Sequence, residues 1–225
     1  GHTSAAGGVH RAVERGERDG FTAIQVFTRN PSQWRSPPLA DEAVTAFRQA
    51  LEDGIVGYAV AHDSYLINPA SPDADLRERS IEAMLDEVDR AEVLGIRDVV
   101  AHLGAHMGDG DEAGLVRLVA SMNAVAERRP DSPVRVALET TAGQGTMLGY
   151  RFEHLAEVFE RVEAPDRLSA CLDTCHVWVA GYDLVSEGGF DEVWRAFDRI
   201  VGIDRLCCLH LNDAKREQGS RVDRH

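Results

Sequence analysis

Basic residues are scarce in this sequence of 225 residues. Lysine and arginine together number 24 against 38 acidic residues, Lys215 is the only lysine, and the formal net charge is -14. A protein that binds nucleic acid generally needs a basic surface to match the phosphate charge. The composition therefore argues against a general nucleic-acid binder, unless bound divalent cations or the locally basic segment 214–225 supply positive charge where it is needed.

Long apolar segments and a signal-like start are also absent. No window contains the roughly 18 consecutive apolar residues of a membrane span, and no basic start with an apolar core and a cleavage site opens the chain. These absences predict a cytoplasmic protein that does not contact membranes. The hydrophobic content of 44% is enough to fill a globular core.

The four cysteines do not have the spacing of a zinc ribbon or a redox motif. Cys171, Cys175, Cys207 and Cys208 form no CxxC pair, and the vicinal Cys207 and Cys208 are poor disulfide partners. All four lie in apolar, strand-like runs. We therefore interpret them as reduced thiols packed in the core.

Six short apolar runs recur along the chain, and helix-like segments separate them. The runs end at residues 27, 62, 102, 139, 173 and 210, so that they follow one another every 34 to 40 residues. This spacing is typical of βαβ units with parallel strands. The predicted helices span 41–52, 76–94, 112–129, 152–162 and 190–200. Because no linker or low-complexity tract divides the chain, we predict a single domain over residues 1–225.

The residues at the ends of these runs distinguish two architectures. A doubly wound open sheet and a (β/α)8 TIM barrel both fit the spacing. In a barrel the carboxyl ends of the strands surround one site, whereas in an open sheet they lie along an edge. Five consecutive runs end in residue types that bind metals, and this favours an α/β fold of the TIM-barrel type. These residues are His62, His102, Glu139, Asp173 and His210.

Three further candidate ligands follow the same strand ends in the sequence. His176 comes three residues after Asp173, and Asp223 and His225 lie near the last strand-like run. Imidazole and carboxylate donors suit zinc or manganese, and eight candidates exceed the about four ligands that one zinc ion takes. We therefore predict two or three ions, with Glu139 able to bridge a pair. Multinuclear sites of this kind hydrolyse phosphodiesters.

Seven segments form long motifs: GHTSAAGG (1–8), FTRNPSQW (27–34), HDSYLINPA (62–70), HLGAHMGDG (102–110), ALETTAGQGTMLGY (137–150), CLDTCHVWVAGYD (171–183) and LHLNDAKREQGSRVDRH (209–225). These motifs closely resemble those of endonuclease IV, the zinc-dependent family of apurinic/apyrimidinic endonucleases. The resemblance implies a (β/α)8 TIM barrel that holds three zinc ions at its carboxyl face, with Mn2+ as an alternative at one site. It also implies a monomer.

The resemblance implies a role for each candidate ligand. His62, His102 and Glu139 would hold the first zinc ion, the catalytic Glu139 would share a second with Asp173 and His210, and His176, Asp223 and His225 would hold the third. The implied partner is duplex DNA that contains abasic sites. The implied reaction is hydrolysis of the phosphodiester 5′ to the abasic site, which leaves a 3′-hydroxyl and belongs to base excision repair.

Five residues outside the cluster are candidate DNA contacts. By resemblance, an extended loop presenting Gln33, Tyr65 and Leu66 would probe the minor groove and fill the gap left by a flipped-out abasic nucleotide. Lys215 and Arg221 flank the third-metal motif and would contact phosphates, although isolated surface cations are often only solvated.

Two departures from the family pattern stand out. Leu103 occupies a position where proline is usual, and this change should leave His102 in place. The sequence ends at His225, before the eighth strand and the glutamate that the family contributes from it, and only the end of the first strand remains near Gly1. We therefore expect the parent protein to be an active enzyme and this 225-residue chain, as a truncated barrel, to be inactive.

Two other functions stay open at this point. A TIM-barrel sugar isomerase or epimerase with Mn or Mg would also use histidine and carboxylate ligands at strand ends. The DxxH at 173–176 combined with DRH at 223–225 argues against it, since such an enzyme does not need a third site. A non-catalytic remnant would bind metal or damaged DNA without cutting.

Overall fold

The computed structural model describes residues 1–225 as one parallel sheet with helices between its strands. Each strand ends at the residue where an apolar run of the sequence ends, so all six predicted strand ends are confirmed. The strands are β1 (Ala23–Phe27), β2 (Tyr58–His62), β3 (Asp98–His102), β4 (Arg135–Glu139), β5 (Leu168–Asp173) and β6 (Leu206–His210).

Seven helices connect or flank these strands: α1 (His10–Arg18), α2 (Asp41–Asp53), α3 (Ala74–Leu94), α4 (Asp111–Arg128), α5 (Phe152–Arg161), α6 (Thr174–Ala180) and α7 (Glu187–Ile200). The five predicted helical segments are confirmed to within three residues at each end. Helices α1 and α6 lie outside them, and α6 is too short, at seven residues, for an apolar period to reveal it. None of the seven combines the length and apolar character needed to cross a bilayer.

The strands follow one another around the sheet in chain order. Every neighbouring pair is parallel, and the order β1-β2-β3-β4-β5-β6 lacks the reversal that gives a doubly wound sheet its switch point. The sheet curls until its edge strands face each other. The contact that shows this is between His210 Nε2 on β6 and Gln25 Oε1 on β1, which are 2.7 Å apart. This curl confirms the barrel type of architecture.

The segment before α1 adds a short piece of pairing at the β1 edge. His2 forms a single parallel bridge with Gln25, and the Thr3 amide donates to the Gln25 carbonyl at 2.9 Å. No strand pairing joins this segment or β1 to β6. The expected end of a first strand is therefore present near Gly1, and the sheet contains six full strands.

Successive side chains along each strand point to opposite faces of the sheet, one toward the helices and one toward the barrel interior. A core of 42 buried residues lies largely between the sheet and the helices. A small inner cluster of Val60, Val100, Ala137 and Cys171 fills the barrel interior. Because side chains repeat every two residues along a strand, the residues two positions later on the same strands also point into this interior. Those later residues are the strand-end ligand candidates.

A polar layer lies beneath the inner cluster, toward the amino ends of the strands. Asp98 is fully buried and accepts hydrogen bonds from Arg135 Nε, Tyr58 Oη and Ser169 Oγ, each at 2.8 Å. A buried carboxylate is costly unless it is paired and hydrogen-bonded. These contacts satisfy Asp98 and tie β2, β3, β4 and β5 together below the candidate site.

The last strand pair is irregular beside that site. Ala170 pairs with Leu206 but Cys171 pairs with Cys208, which leaves Cys207 as an extra residue on β6. A bulge of this kind redirects side chains, and both vicinal thiols pack against the inner cluster. All four cysteines are free, as predicted. Cys175, however, lies on α6 and not in a strand.

Candidate metal centre

All eight predicted ligands line one cavity at the carboxyl ends of the strands. The cavity has a volume of about 820 Å³. Five of the ligands are the last residues of five neighbouring strands, one lies on α6, and two lie on the segment that follows β6. The structure therefore brings together His62, His102, Glu139, Asp173, His176, His210, Asp223 and His225.

Glu139 lies at the centre of this group. Its Oε2 atom is 3.2 Å from Nε2 of both His62 and His102, and its Oε1 atom is 2.7 Å from His210 Nδ1. The residue as a whole is 1% exposed. Burial alone would raise the pKa of Glu139, but the surrounding imidazoles, His102 foremost, lower it well below its ordinary value. Glu139 is therefore an anion on which several positive groups converge.

Hydrogen bonds fix the orientation of three of the imidazole rings. Nδ1 of His62 lies 3.0 Å from the Asp63 carbonyl, and Nδ1 of His176 lies 2.7 Å from the Thr140 carbonyl. Each of these nitrogens donates to its carbonyl, which leaves Nε2 of both rings directed at a carboxylate. In His210 the roles are reversed, because Nε2 donates to Gln25 Oε1. The free nitrogen of each ring thus faces a carboxylate, as metal-binding histidines require.

The residues Asp173 and His176 are joined by a helix cap. Asp173 ends β5 and serves as the N-cap of α6, and its Oδ1 atom accepts from the His176 amide at 3.0 Å. Its other oxygen accepts from Asn212 Nδ2 at 2.6 Å. His176 lies in the first turn of α6. The cap fixes the spacing between the two side chains.

Asp223 and His225 approach the cavity from the segment after β6. Asp223 Oδ2 is 3.3 Å from His176 Nε2, and Asp223 Oδ1 is 3.2 Å from His225 Nδ1. The Oδ1 atom is buried but makes no hydrogen bond of good geometry. A buried carboxylate oxygen without a partner has unused capacity to bind a cation.

Protonated imidazoles occupy the positions where a metal centre would carry positive charge. Burial lowers the pKa of His176, but Asp223, Asp173 and Glu139 outweigh this effect and raise the pKa to about 9. Burial also lowers the pKa of His210, and contacts with Cys208 and Glu139 raise it to about 10. Metal binding would therefore displace protons from these rings.

The donor atoms fall into groups that suit metal ions. Those of His62, His102 and Glu139 lie within 4.8 Å of one another, as do those of Glu139, Asp173 and His176. His210 Nδ1 also reaches the second group, at 3.7 Å from Asp173 Oδ2. Nitrogen and carboxylate donors in sets of three are typical of zinc sites. The donor set and the unpartnered Asp223 oxygen fit multinuclear metal binding.

Several residues that complete this arrangement were not predicted. Gln25 and Asn212 hold His210 and Asp173. Thr140 supports both Asp173, through its hydroxyl, and His176, through its carbonyl. Gln25 had a detectable signal, because it is the one polar residue in the apolar run of β1. Cys175 Sγ lies within 4.8 Å of the Asp223 and His225 donors. In the sequence, the only sign that Cys175 lies near the site is its position directly before His176.

The three predicted minor-groove residues lie on two loops and not on one. Gln33 follows β1 and is exposed, whereas Tyr65 and Leu66 follow β2. Both the Ser64 hydroxyl and the Tyr65 amide donate to the Pro31 carbonyl, at 2.7 and 3.1 Å, so the loops are joined. Tyr65 is 63% exposed and also lines the metal cavity. The expected single loop is therefore two loops linked at Pro31.

The two predicted phosphate contacts differ in their surroundings. Lys215 is exposed, and its amide donates to the Arg224 carbonyl at 2.9 Å. Arg221 packs its guanidinium over the ring of Tyr150, with its Cζ atom 4.2 Å from the ring centroid. A cation on an aromatic face is already partly engaged. Arg221 therefore has a packing role beside the site.

The fold and the cluster together define a class. A curled parallel sheet with histidines and carboxylates at the carboxyl ends of its strands is the arrangement in which barrel enzymes place their active sites. The family model described as "Xylose isomerase-like TIM barrel" matches residues 13–225. The chain thus has both the architecture and the sequence pattern of this class.

Within this class, the chain is similar to endonucleases. The chain is 44% identical over 224 residues to the probable endonuclease 4 of Geotalea daltonii, covering 100% of this chain and 79% of the relative. It is 46% identical to the probable endonuclease 4 of Chloroflexus aggregans, with coverage of 100% and 78%. The crystal structure of endonuclease IV from Thermus thermophilus matches with a TM-score of 0.85 and 37% identity, covering 100% of this chain and 79% of that chain. The chain belongs to the endonuclease IV family of enzymes.

Sugar epimerases share the architecture at a greater distance. A D-tagatose 3-epimerase-like protein matches with a TM-score of 0.72 and 19% identity, covering 94% of this chain and 75% of that chain. At this identity the likeness concerns the fold alone.

Proposed function

We propose that this protein is a DNA repair endonuclease that hydrolyses the phosphodiester 5′ to an abasic site in duplex DNA and leaves a 3′-hydroxyl. The observation that carries the proposal is the position of Glu139, a buried carboxylate with three imidazole nitrogens within 3.2 Å of its oxygens. The endonuclease 4 relatives support the same reaction class.

The cluster would hold zinc ions in three groups, the first two of which share Glu139. His62, His102 and Glu139 form the first, Glu139 with Asp173 and His210 forms the second, and His176 with Asp223 and His225 forms the third. When bound, such ions lower the pKa of a coordinated water and neutralise charge on phosphate oxygens. Mn2+ could replace zinc in one group, because the donors are nitrogen and oxygen.

The surrounding residues would keep the ligands in position during the reaction. Gln25, the Asp63 carbonyl and the Thr140 carbonyl each hold one nitrogen of an imidazole, so that the other nitrogen points at the cluster. Groups fixed in this way lose little freedom when ions bind. The same contacts keep the ligands in place while charge develops on the phosphate.

The linked loops after β1 and β2 would recognise the DNA. Tyr65 is exposed at the rim of the cavity, and its ring lies 5.4 Å from that of Phe27, which supports it from below. Tyr65, Leu66 and Gln33 would enter the minor groove and fill the space vacated by the flipped-out abasic nucleotide. Lys215 and Arg221 would contact phosphates. Bound cations would offset the net charge of -14 at the point of contact.

A sugar epimerase is the second candidate, because histidine and carboxylate donors at strand ends would also hold the one or two ions of such an enzyme. The third group of ligands argues against it, because Asp223 and His225 add donors beyond what one or two ions need. The number of metal ions bound per chain separates the two functions.

The test is nicking of a labelled duplex that carries one stable abasic-site analogue. Zinc-loaded and chelator-treated protein would be compared, with an intact duplex of the same sequence as the matched control. We expect the parent protein to cleave on the 5′ side of the analogue only, and only with metal, and the 225-residue chain not to cleave. Tight binding of the abasic duplex without a nick, with metal bound, would instead support a non-catalytic role. The proposal would be overturned if metal-loaded protein neither bound nor cleaved the abasic duplex.

A further inference from the structure

A group of thiols lies directly under the metal cluster and has no part in the proposed function. The Sγ atoms of Cys171 and Cys208 and a ring nitrogen of His210 lie within 4.8 Å of one another. The thiols are free, and the bulge on β6 has turned both Cys207 and Cys208 inward. Two sulfurs and an imidazole nitrogen at this separation can share one ion.

The chemistry of these donors differs from that of the cluster above them. Thiolates are soft ligands that select ions such as Cd2+ and Cu+, whereas imidazole and carboxylate donors suit zinc and manganese. The thiols also sit in an apolar environment, since they pack with Val60, Val100 and Ala137 in the barrel interior. The side chains of these three neighbours supply no oxygen donor that would compete with sulfur.

The site is accessible from the metal cavity. Cys208 lines the same cavity of about 820 Å³ as the histidines and carboxylates, whereas Cys171 is fully buried behind it. An ion that enters the cavity therefore meets Cys208 first. His210 lies between the two environments, because its Nδ1 atom is also 2.7 Å from Glu139 Oε1.

We propose that Cys171, Cys208 and His210 form a separate metal site that binds thiophilic cations, and that its occupation removes His210 from the Glu139 group. The second part rests on the proposed function. Each thiol transfers its proton to solvent as its sulfur bonds to the ion, and His210 contributes a nitrogen lone pair, so no oxidant or reductant is needed. Because His210 cannot serve both sites at once, a thiophilic cation competes with zinc and inhibits the enzyme.

Cys207 provides a matched control in the same strand. It is adjacent to Cys208 in sequence and faces the same interior, but its Sγ atom lies 3.3 Å from Ser169 Oγ, toward the amino ends of the strands. It is not part of the group that could share an ion. Substitution of Cys207 should therefore change the interior as much as substitution of Cys208, without removing a ligand.

The experiment is a titration of metal-free protein with Cd2+, followed by the ultraviolet charge-transfer absorption of cadmium–thiolate bonds. Wild type should show a band that saturates at one ion per site, and Cys207→Ser should match it. Cys208→Ser and Cys171→Ser should lose most of the band and raise the Kd for Cd2+ by about 100-fold, since even supporting groups are worth about 10–100-fold in metal affinity. Circular dichroism would establish that each variant is folded, and Cys208→Ala provides a second replacement.

Two results would overturn the inference. One is a band in Cys208→Ser and Cys208→Ala equal to that of wild type. The other is saturable Cd2+ binding by wild type with no thiolate band, which would assign the ion to the histidine and carboxylate cluster alone. Because absorption does not depend on DNA cleavage, failure of this inference is distinguishable from failure of the proposed endonuclease activity. In a parallel titration of zinc-loaded protein, the zinc released per Cd2+ bound measures the competition for His210.

Discussion

The two halves of the candidate metal centre are built differently. The half borne by strands contains His62, His102 and Glu139, whose side chains are 7%, 24% and 2% exposed. The half borne by the segment after β6 contains Asp223 and His225, whose side chains are 39% and 48% exposed. Ligands on strands are fixed by the sheet, whereas ligands on an irregular segment depend on local contacts. The strand-borne half should therefore bind its metal more tightly.

The segment after β6 is held mainly by hydrogen bonds to α6 and to the turn that follows β4. The Arg221 amide donates to the Val179 carbonyl at 2.9 Å, and Trp178 Nε1 donates to the Arg216 carbonyl at 3.0 Å. The Asp223 amide donates to Gln144 Oε1 at 3.1 Å. Each such bond contributes only about 0.5–1.5 kcal/mol. The position of Asp223 and His225 is therefore the weaker part of the centre.

The largest effect is expected at the centre of the strand-borne half. Glu139→Gln keeps the shape of the side chain but removes the charge that the three imidazoles face. We expect nicking of abasic duplex to fall by at least about 10²-fold, the cost of removing one group that stabilises the transition state. Metal content should also fall. Single-turnover cleavage and metal analysis check this.

The control for that variant is Glu157→Gln, which removes a charge from the surface helix α5. Glu157 pairs with Arg161 on the same helix, away from the cluster. Its substitution should leave cleavage unchanged. Equal loss of activity in both variants would contradict a specific role for Glu139.

The next effect concerns the support below the strand-borne half. Asp98→Asn breaks a buried carboxylate network. We expect the free energy of unfolding to fall by about 3 kcal/mol. This value is at the low end for such networks, because Arg135 is partly exposed. Urea unfolding at neutral pH measures it. Conservative replacement of the exposed Asp191, which pairs only with Arg195, should change stability by less than about 0.5 kcal/mol.

The contribution of Asp98 has a defined dependence on pH. Burial raises the pKa of Asp98, but the hydrogen bonds from Arg135, Ser169 and Tyr58 outweigh it, and the pKa is lower than usual. A carboxyl whose pKa is lower in the folded state stabilises the protein above its unfolded pKa and loses this effect as the pH falls through the folded pKa. The difference between wild type and Asp98→Asn should therefore shrink in acid. A difference that grows in acid would contradict this assignment.

Substitution in the half borne by the segment after β6 should remove only part of the bound metal and of the activity. His225→Ala removes the most exposed ligand, and we expect the loss of one bound ion per chain and a fall in cleavage of about 10–100-fold. The ions of the strand-borne half should stay. Equilibrium dialysis against graded zinc concentrations resolves the two classes. Loss of all metal in this variant would show that the halves are not independent.

The smallest effect is expected at Arg221. Its guanidinium packs on Tyr150, an arrangement that contributes about 0.5–1 kcal/mol at an exposed site. If Arg221 also contacts a phosphate, Arg221→Gln should reduce the slope of log affinity for DNA against log salt by about 1. Salt titrations of DNA binding measure the slope. An unchanged slope with lower stability would leave Arg221 only its packing role.

The strand ends could be predicted to the residue because each apolar run stops at a polar side chain that must leave the core. His62, His102 and Glu139 illustrate this. Helix α6 could not be predicted, since the seven residues from Thr174 to Ala180 are too few for a periodic pattern. The contact between His210 and Gln25 depends on the curl of the whole sheet, and no local pattern encodes it. The inward turn of Cys207 depends on a bulge that appears only in the pairing register.

The most direct test of the central claim is a crystal structure of the zinc-loaded protein with anomalous data collected at the zinc absorption edge. The account predicts one anomalous peak within ligand distance of His62, His102 and Glu139, a second shared by Glu139 and Asp173, and a third, weaker peak beside His176, Asp223 and His225. The absence of any peak at Glu139 in protein that retains zinc would contradict the account.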